Sequence, residues 1–370
     1  MLIVAYLVMV VTKITGGSFI DLFDLSVYYL YAERVVTSGE LPYIDFPVEY
    51  PQLAMPHMIV LFAIAAALGT PMLFVYLHAI LMFGFYVVAT LCVYFIALDL
   101  YDDEHRAYIA GIIMATAFSC IYFVLTKYDA LPTCCMMVAL LLFVKRRSLA
   151  ASATTAIGGM TKWVPFIALP YMIIHDWKNN AKNAILPSIG IVLAIVGVVL
   201  IPCFIASTEN TLFAYSFHFG RQAQSESIYF FIDYLLGFAL TAQFSTILTV
   251  GSQLIILGMY WRGSASVRRT IIYISLALFA FIVLNKVFSP QYILWIAPLL
   301  ALHFSDSGKK IALFVAMQIL MFIEYPLTFG FIQVTTEYYD PLACIILYSC
   351  KFVVWGIAFV VLAKTPTGDT

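Results

Sequence analysis

The chain has 370 residues, 64% of them hydrophobic and only 11% charged, with a formal net charge of −1 and a mean hydropathy of +0.99. This composition reads as a polytopic α-helical membrane protein with no soluble domain of ordinary size left over. Near-neutral charge, with Lys and Arg in short clusters, excludes the basic face that nucleic-acid binding requires, and seven cysteines without CxxC spacing read as small buried hydrophobes rather than a metal site or disulfide framework.

Residues 1–11 are apolar but shorter than the about 20 residues a span needs, and they lack the basic start and small-residue cleavage site of a signal peptide. They are read either as a pass that borrows its neighbours or as a clipped chain start. The next stretch, residues 16–51, concentrates charge: Asp21, Asp24, Glu33, Arg34, Glu40, Asp45 and Glu49 lie between two apolar segments. A helix over residues 19–38 puts Asp21, Asp24, Tyr28 and Tyr31 on one face, with Ser38-Gly39 as its stop and Leu41-Pro42 as an extended exit. A face with two carboxylates is either a solvated surface or an active-site wall. In a lipid-facing chain a long Pro- and acid-rich loop favours the second, so residues 16–55 are taken as a first outer loop that carries the chemistry.

Apolar segments then run over 53–68, 72–98, 107–126, 131–144, 149–160, 163–174, 184–205, 232–260, 270–288, 292–304, 311–332 and 341–363. With the start of the chain they amount to about twelve passes in a single membrane domain spanning residues 1–370. Lys145-Arg146-Arg147, Lys178 with Lys182, Arg262 with Arg268-Arg269, Lys309-Lys310 and Lys364 fall on one side when the passes alternate, the side that the positive-inside rule makes cytoplasmic. The count closes if residues 53–68, interrupted by Pro56, are re-entrant or interfacial; a miscounted short pair elsewhere is the rival explanation. The opposite, outer face receives the first loop together with Lys127-Tyr128-Asp129, the Lys162 turn, residues 206–230, residues 285–291 and residues 335–340.

Each of these groups has a plain reading beside a chemical one. Lys127 and Asp129 could form a local ion pair at a capped helix end. Lys162 could snorkel to the interface, or hold a phosphate or pyrophosphate headgroup at the membrane boundary. The segment His218-Phe219-Gly220-Arg221-Gln222-Ala223-Gln224-Ser225-Glu226-Ser227 could be an ordinary solvated loop, yet Arg221 has the planar fork that grips a phosphodiester bidentately. In Asn285-Lys286-Val287-Phe288-Ser289-Pro290-Gln291-Tyr292, Pro290 starts the next helix and Ser289 can cap it. Outer carboxylates with outer cations at bilayer depth imply a charged, lipid-linked substrate.

Five motifs in chain order carry a resemblance. These are the first loop (Asp24, Tyr28, Gly39-Glu40-Leu41-Pro42-Tyr43-Ile44-Asp45-Phe46 and Glu49-Tyr50-Pro51), Lys127-Tyr128-Asp129-Ala130-Leu131-Pro132, Thr161-Lys162-Trp163-Val164-Pro165, the Arg221 to Ser227 segment, and Phe288-Ser289-Pro290-Gln291-Tyr292-Ile293-Leu294-Trp295. Together they resemble the polyprenol-phosphate-mannose-dependent enzymes of glycosyltransferase family 87, in the GT-C superfamily. Two departures are that Gln52 stands where a second proline is common and that the first apolar stretch is short.

The resemblance implies an all-α GT-C-like bundle of about twelve transmembrane helices with a helical first extracytoplasmic loop. It implies a cell-membrane, multi-pass enzyme that moves a sugar, typically mannose, from a polyprenyl-phosphate carrier to a lipid or glycan acceptor hydroxyl on the extracytoplasmic side. An acidic residue of the first loop acts as general base in such enzymes; carried onto this chain it is Asp24, with Asp21 one helical turn earlier as second choice. Lys162 and Arg221 would compensate the leaving phosphate, His218 would assist there or contact sugar, and Glu49, Tyr50 and Asp129 would order the loop or bind sugar hydroxyls. Tyr28, Lys127, Gln222, Glu226 and Gln291 complete the expected substrate-binding set. Asp21 and Asp24 could ligate a divalent ion such as Mg or Mn, though one loop without a histidine gives weak grounds for a site. A transporter of polyprenyl-linked sugar is the alternative, but it would place charge near the membrane midplane rather than at one face.

Overall fold

A computed structural model describes residues 22–237 and 242–367, so Asp21 and the apolar stretch 1–11 lie outside the described residues. Helix α1, Phe23–Ser38, ends where Ser38-Gly39 predicts: Gly39 adopts φ 71°, and the N–H groups of Gly39 and Glu40 donate to Val35 O and Arg34 O. Leu25, Tyr28 and Ala32 form its buried stripe, which packs on α2, Met55–Ala67. The expected interruption at Pro56 is corrected. A 3-10 turn over Gln52–Ala54 leads into α2, and Pro56 sits in the helix's first turn, where a missing N–H leaves no bond unmade.

Helix α3 is Met72–Tyr101. Helices α4, Glu104–Ala115, and α5, Phe118–Val124, are bent by 51° at the break between them, so residues 107–126 are not one straight pass. There follow α6, Ala130–Val144; α7, Ser148–Thr161; α8, Leu169–Lys178; and α9, Lys182–Ala206. Residues 206–230, expected as a loop, contain a helix, α10, Thr208–Gly220, capped by the Ser207 side chain. The expected segment 232–260 also divides: α11, Ile228–Leu236, stops at Gly237 with φ 65°, and α12 is Ala242–Arg262. The chain closes with α13, Val267–Val283; α14, Ile293–Phe304; α15, Gly308–Phe322; a short hairpin of β1, Gln333–Val334, and β2, Glu337–Tyr338; and α16, Pro341–Ala363.

Among the described residues five helices are long and apolar enough to cross a membrane, or six if the bent α4 and α5 pair is one span. Shorter apolar helices occupy Gln52–Ala67, Ala130–Val144 and Pro290–Phe304, so the expected passes are divided between long helices and short ones. Every residue of α14 is buried, which puts this helix, apolar except for His303 in its last turn, at the centre of the bundle. By contrast α9 leaves Leu186, Leu193, Val198 and Ile205 exposed, a face that a lipid environment accommodates and water does not. The seven cysteines are all free thiols, four of them buried, as small hydrophobes should be.

Basic clusters distant in sequence meet at one end of the bundle. Lys178 donates to Gly263 O and Trp261 O, Asn179 to Ala265 O at 2.8 Å, and Arg106 to Ser305 Oγ at 3.2 Å. Asp24, Lys127, Lys162 and Lys286 gather elsewhere, around one cavity.

Close approach of α7 to its neighbours depends on two glycines. A Cβ at Gly158 would lie 2.5 Å from Cys135 Cβ, and one at Gly159 would lie 2.3 Å from the Phe166 ring. Gly158→Val should lower stability by about 2 kcal/mol or more through overpacking. Gly251→Ala on α12, where nothing lies within 4 Å, should leave thermal unfolding in detergent almost unchanged.

Candidate active site

The turn Lys127-Tyr128-Asp129 between α5 and α6 sends its two charges in opposite directions. Lys127 Nζ reaches Asp24 Oδ2 on α1 at 2.7 Å, while Asp129 Oδ1 receives Lys162 Nζ at 2.6 Å from the end of α7. The local ion pair considered from the sequence is thus corrected: each residue pairs across the fold. Asp129 is fully buried and its Oδ1 also accepts Trp295 Nε1 at 2.7 Å from α14. The Lys162 ammonium stands 4.8 Å from the Tyr128 ring centre and 5.1 Å from that of Trp295, two faces that favour a cation.

These residues form one wall of a cavity of about 1060 Å³. Asp24, Tyr28 and Tyr31 all line it, as their shared helical face predicts. Tyr28, Tyr50 and Tyr128 meet edge to face, with centres 5.2 to 5.6 Å apart, and fix the inner surface. The first loop is tied down by its own polar groups. Asp45 Oδ2 accepts Leu41 N at 2.7 Å, and Tyr43, in the left-handed region at φ 67°, donates from its phenol to Tyr50 O and Pro51 O at 3.0 Å. Asn210 on α10 donates to Ile44 O at 2.7 Å, docking the loop on that helix.

The facing wall begins at the end of α10. His218 stands in that helix's last turn, not in a loop as the sequence suggested; its Nε2–H donates to Glu49 O at 3.0 Å, and Trp163 packs between it and Tyr215. At Arg221 the chain becomes extended, and Gln224 N donates to Lys286 O while Ser225 N donates to Thr335 O, both at 2.9 Å. Lys286 Nζ donates to Phe219 O at 2.6 Å. Among the described residues the Arg221 guanidinium has no carboxylate at ion-pair distance, and its ring contact is Phe217 at 5.6 Å. A second buried pair supports this wall from behind. Lys351 on α16 lies 2.8 Å from Glu324 and donates to Glu226 O at 3.2 Å, while Tyr348 donates to Glu324 Oε1 at 3.1 Å.

Electrostatics divide the cavity. Burial, then the charge on Asp24, pushes the carboxyl of Glu49 up, although a Tyr50 hydrogen bond opposes the shift. Burial lowers His218 to about 4, with the positive charge of Arg221 adding to the effect and those of Lys162 and Lys286 contributing less. Lys286 is lowered by burial and by Arg221. His218 is therefore neutral at physiological pH, and the cations Lys162, Arg221 and Lys286 share one region.

Of the residues expected from sequence, Asp24, Tyr28, Glu49, Tyr50, Lys127, Lys162, His218, Arg221, Glu226 and Gln291 line this one cavity. Asp129 lies behind the wall and acts on it through Lys162; Gln222 is exposed and outside the lining; Asp21 is outside the described residues. Trp295, Trp163 and Lys286 are members that residue-type reasoning left within motifs. An indole next to a cation in the chain, as in Lys162-Trp163, was the signal for one of them. Among the described residues no three His, Cys, Asp or Glu side chains gather to hold a metal ion.

Fold and site together define a polytopic α-helical membrane protein with a large cavity whose charged groups lie at one end of the bundle. Its fold is similar to that of ArnT from Cupriavidus metallidurans in the apo state, with a TM-score of 0.50 and 14% identity over 90% of this chain and 70% of that one. The likeness is one of overall fold, and it agrees with the all-α, multi-helix membrane bundle expected from the sequence. No family model matches the chain, and no curated protein matches it.

A prediction follows from His218. Its ring binds a proton near pH 6.5 in the unfolded chain but only near 4 in the folded one, so the unfolded state gains the proton first as pH falls. Stability should drop from about pH 6.5 toward 4. His218→Gln, which has no proton to gain, should lose less over that interval when unfolding is followed against pH in detergent.

Proposed function

We propose that the protein is a membrane glycosyltransferase that moves a sugar, mannose by family resemblance, from a polyprenyl-phosphate donor to an acceptor hydroxyl of a lipid or glycan on the extracytoplasmic side of the cell membrane. The observation that carries this reading is one cavity that holds a carboxylate, Asp24 on α1, together with two cations, Lys162 on the same wall and Arg221 on the facing one. The GT-C-like fold supports the same class, as do the five motifs that resemble family 87.

The chemistry requires both halves. Asp24 takes the proton of the acceptor hydroxyl as its oxygen attacks the anomeric carbon from the face opposite the phosphate, which inverts the configuration. The bond from that carbon to the phosphate oxygen breaks, and its electron pair leaves on the polyprenyl phosphate. Lys162 and Arg221 stabilise the phosphate as it acquires this charge. Lys127 holds Asp24 through Oδ2, which fixes the carboxylate's direction and leaves Oδ1 to meet the acceptor. Asp129 and Trp295 hold the Lys162 ammonium toward the cavity. Glu49, Tyr50, Glu226 and Gln291 offer hydrogen bonds to sugar hydroxyls from the walls between.

Transfer of radiolabelled sugar from synthetic polyprenyl-phosphate mannose to membrane acceptors tests this. At matched expression Asp24→Asn should lose roughly 100-fold to 10,000-fold in rate, the span of general base catalysis. Asp21→Asn should retain transfer, and Arg221→Gln should weaken donor binding by about 10-fold or more. If wild type transfers no sugar from any polyprenyl-phosphate donor, with or without divalent metal, a carrier of polyprenyl-linked sugar becomes the better reading.

A further inference from the structure

A second cationic site lies at the other end of the bundle. Tyr101, the last residue of α3, carries the Arg106 guanidinium 3.3 Å from its ring centre and the Arg268 guanidinium 5.0 Å from it. Its phenol is fixed by His303 Nδ1 at 3.2 Å, and His303 Nε2 meets Ser275 Oγ at 3.1 Å. The ring is therefore a rigid platform for two like charges that would otherwise repel each other.

Neither guanidinium is satisfied by the protein. Arg106 Nε donates to Ser305 Oγ, but its Nη2 is buried without a hydrogen bond, 3.7 Å from the Asp306 carboxylate. That carboxylate is already held by Lys310 at 2.9 Å. Arg268 has only the ring contact among the described residues, and its Nε is also buried without a partner. Leaving such charged donors unpaired away from water is costly, so an acceptor from outside the protein would be favoured there. A basic residue that merely marks membrane orientation keeps its head group in water; these turn N–H groups inward.

The backbone adds to the imbalance. Arg106 is in the first turn of α4, Arg268 in the first turn of α13 and Lys310 in the first turn of α15. Cations at helix N-termini oppose the helix dipole, whose positive end favours anions. Asp103 caps the start of α4 and Glu104 lies in its first turn, so what the cluster lacks is acceptors for its guanidiniums: the one carboxylate at ion-pair distance from them among the described residues, Asp306, is shared with Lys310. Arg106, at 14% side-chain exposure, remains within reach of a ligand from outside.

We propose that the Arg106, Tyr101 and Arg268 cluster binds a phosphate group, either the phosphodiester of an anionic membrane lipid or a free phosphate, at the end of the bundle opposite the cavity. The planar guanidinium forks suit phosphate oxygens, and the bound anion supplies acceptors to the buried Nη2 and Nε groups. This site is independent of sugar transfer and stands whether or not the protein is a glycosyltransferase.

The test uses the full chain in vesicles of phosphatidylcholine alone, of phosphatidylcholine with a minority of phosphatidylglycerol, and of phosphatidylcholine with millimolar inorganic phosphate. Ligand bound only to the folded state should raise the melting temperature by roughly 3 °C or more. A rise with phosphatidylglycerol alone identifies a lipid headgroup; an equal rise with inorganic phosphate identifies a free phosphate. Arg268→Gln, which removes no hydrogen bond of the protein, should abolish most of the rise. Native mass spectrometry of wild type gives a reading that needs no variant: a retained phosphatidylglycerol or phosphate adduct is expected. The proposal is overturned if neither anion raises the wild-type melting temperature, or if Arg268→Gln shows the same rise.

Discussion

The arrangement on which the cavity depends is the pair of crossed ion pairs at residues 127 to 129. One short turn gives a cation to Asp24 on α1 and an anion to Lys162 at the end of α7, so three elements distant in the chain are registered by two contacts of 2.7 and 2.6 Å. One member of each is withdrawn from water, Lys127 at 6% exposed and Asp129 at 1%, while Asp24 and Lys162 face the cavity. Taking away the partner of Lys127 or of Asp129 leaves a buried charge uncompensated, a loss of about 3 to 5 kcal/mol. The geometry of the wall is therefore strongly enforced, and Trp295 adds a third fixed donor from the central helix α14.

From that constraint the division of labour follows. Because Lys127 occupies Oδ2 of Asp24, which lines the cavity, Oδ1 is the oxygen left without a hydrogen bond among the described residues. Because Asp129 is buried behind Lys162 rather than beside it at the surface, the ammonium is held at the cavity wall with its ring neighbours at 4.8 and 5.1 Å. Arg221 is free of any carboxylate at ion-pair distance among the described residues, as the proposed phosphate contact requires. His218 stays neutral in their field and contributes a hydrogen bond to the first loop instead of a further charge.

Much of this was legible in the sequence, for identifiable reasons. A 3.6-residue period set Asp24, Tyr28 and Tyr31 on one face, and Ser38-Gly39 named the helix end. The residues of the site were recognisable because charge is rare in so apolar a chain. Their pairing was not, since Lys127 and Asp24 are 103 positions apart and nothing local chooses between Asp129 and Asp24 as the partner of Lys127. Helix breaks were missed where apolar composition continues through them, as at Gly237, and α10 was missed because its Thr, Asn and Ser content resembles a loop. Glu324 and Lys351 were absorbed into segments read as uniformly apolar. Single ionisable residues inside such segments are the signal that would have found them.

The central claim of the proposed function is that Lys162 and Arg221, on facing walls of the cavity that holds Asp24, jointly receive the donor's phosphate. A cryo-electron microscopy structure of the wild-type protein with polyprenyl phosphate bound tests it most directly. The expected result is a phosphate within hydrogen-bond distance of both Lys162 Nζ and the Arg221 guanidinium, with Asp24 still held by Lys127. A phosphate seated elsewhere in the cavity, or one that draws Lys127 away from Asp24 and leaves Lys162 and Arg221 without contact, would contradict the claim.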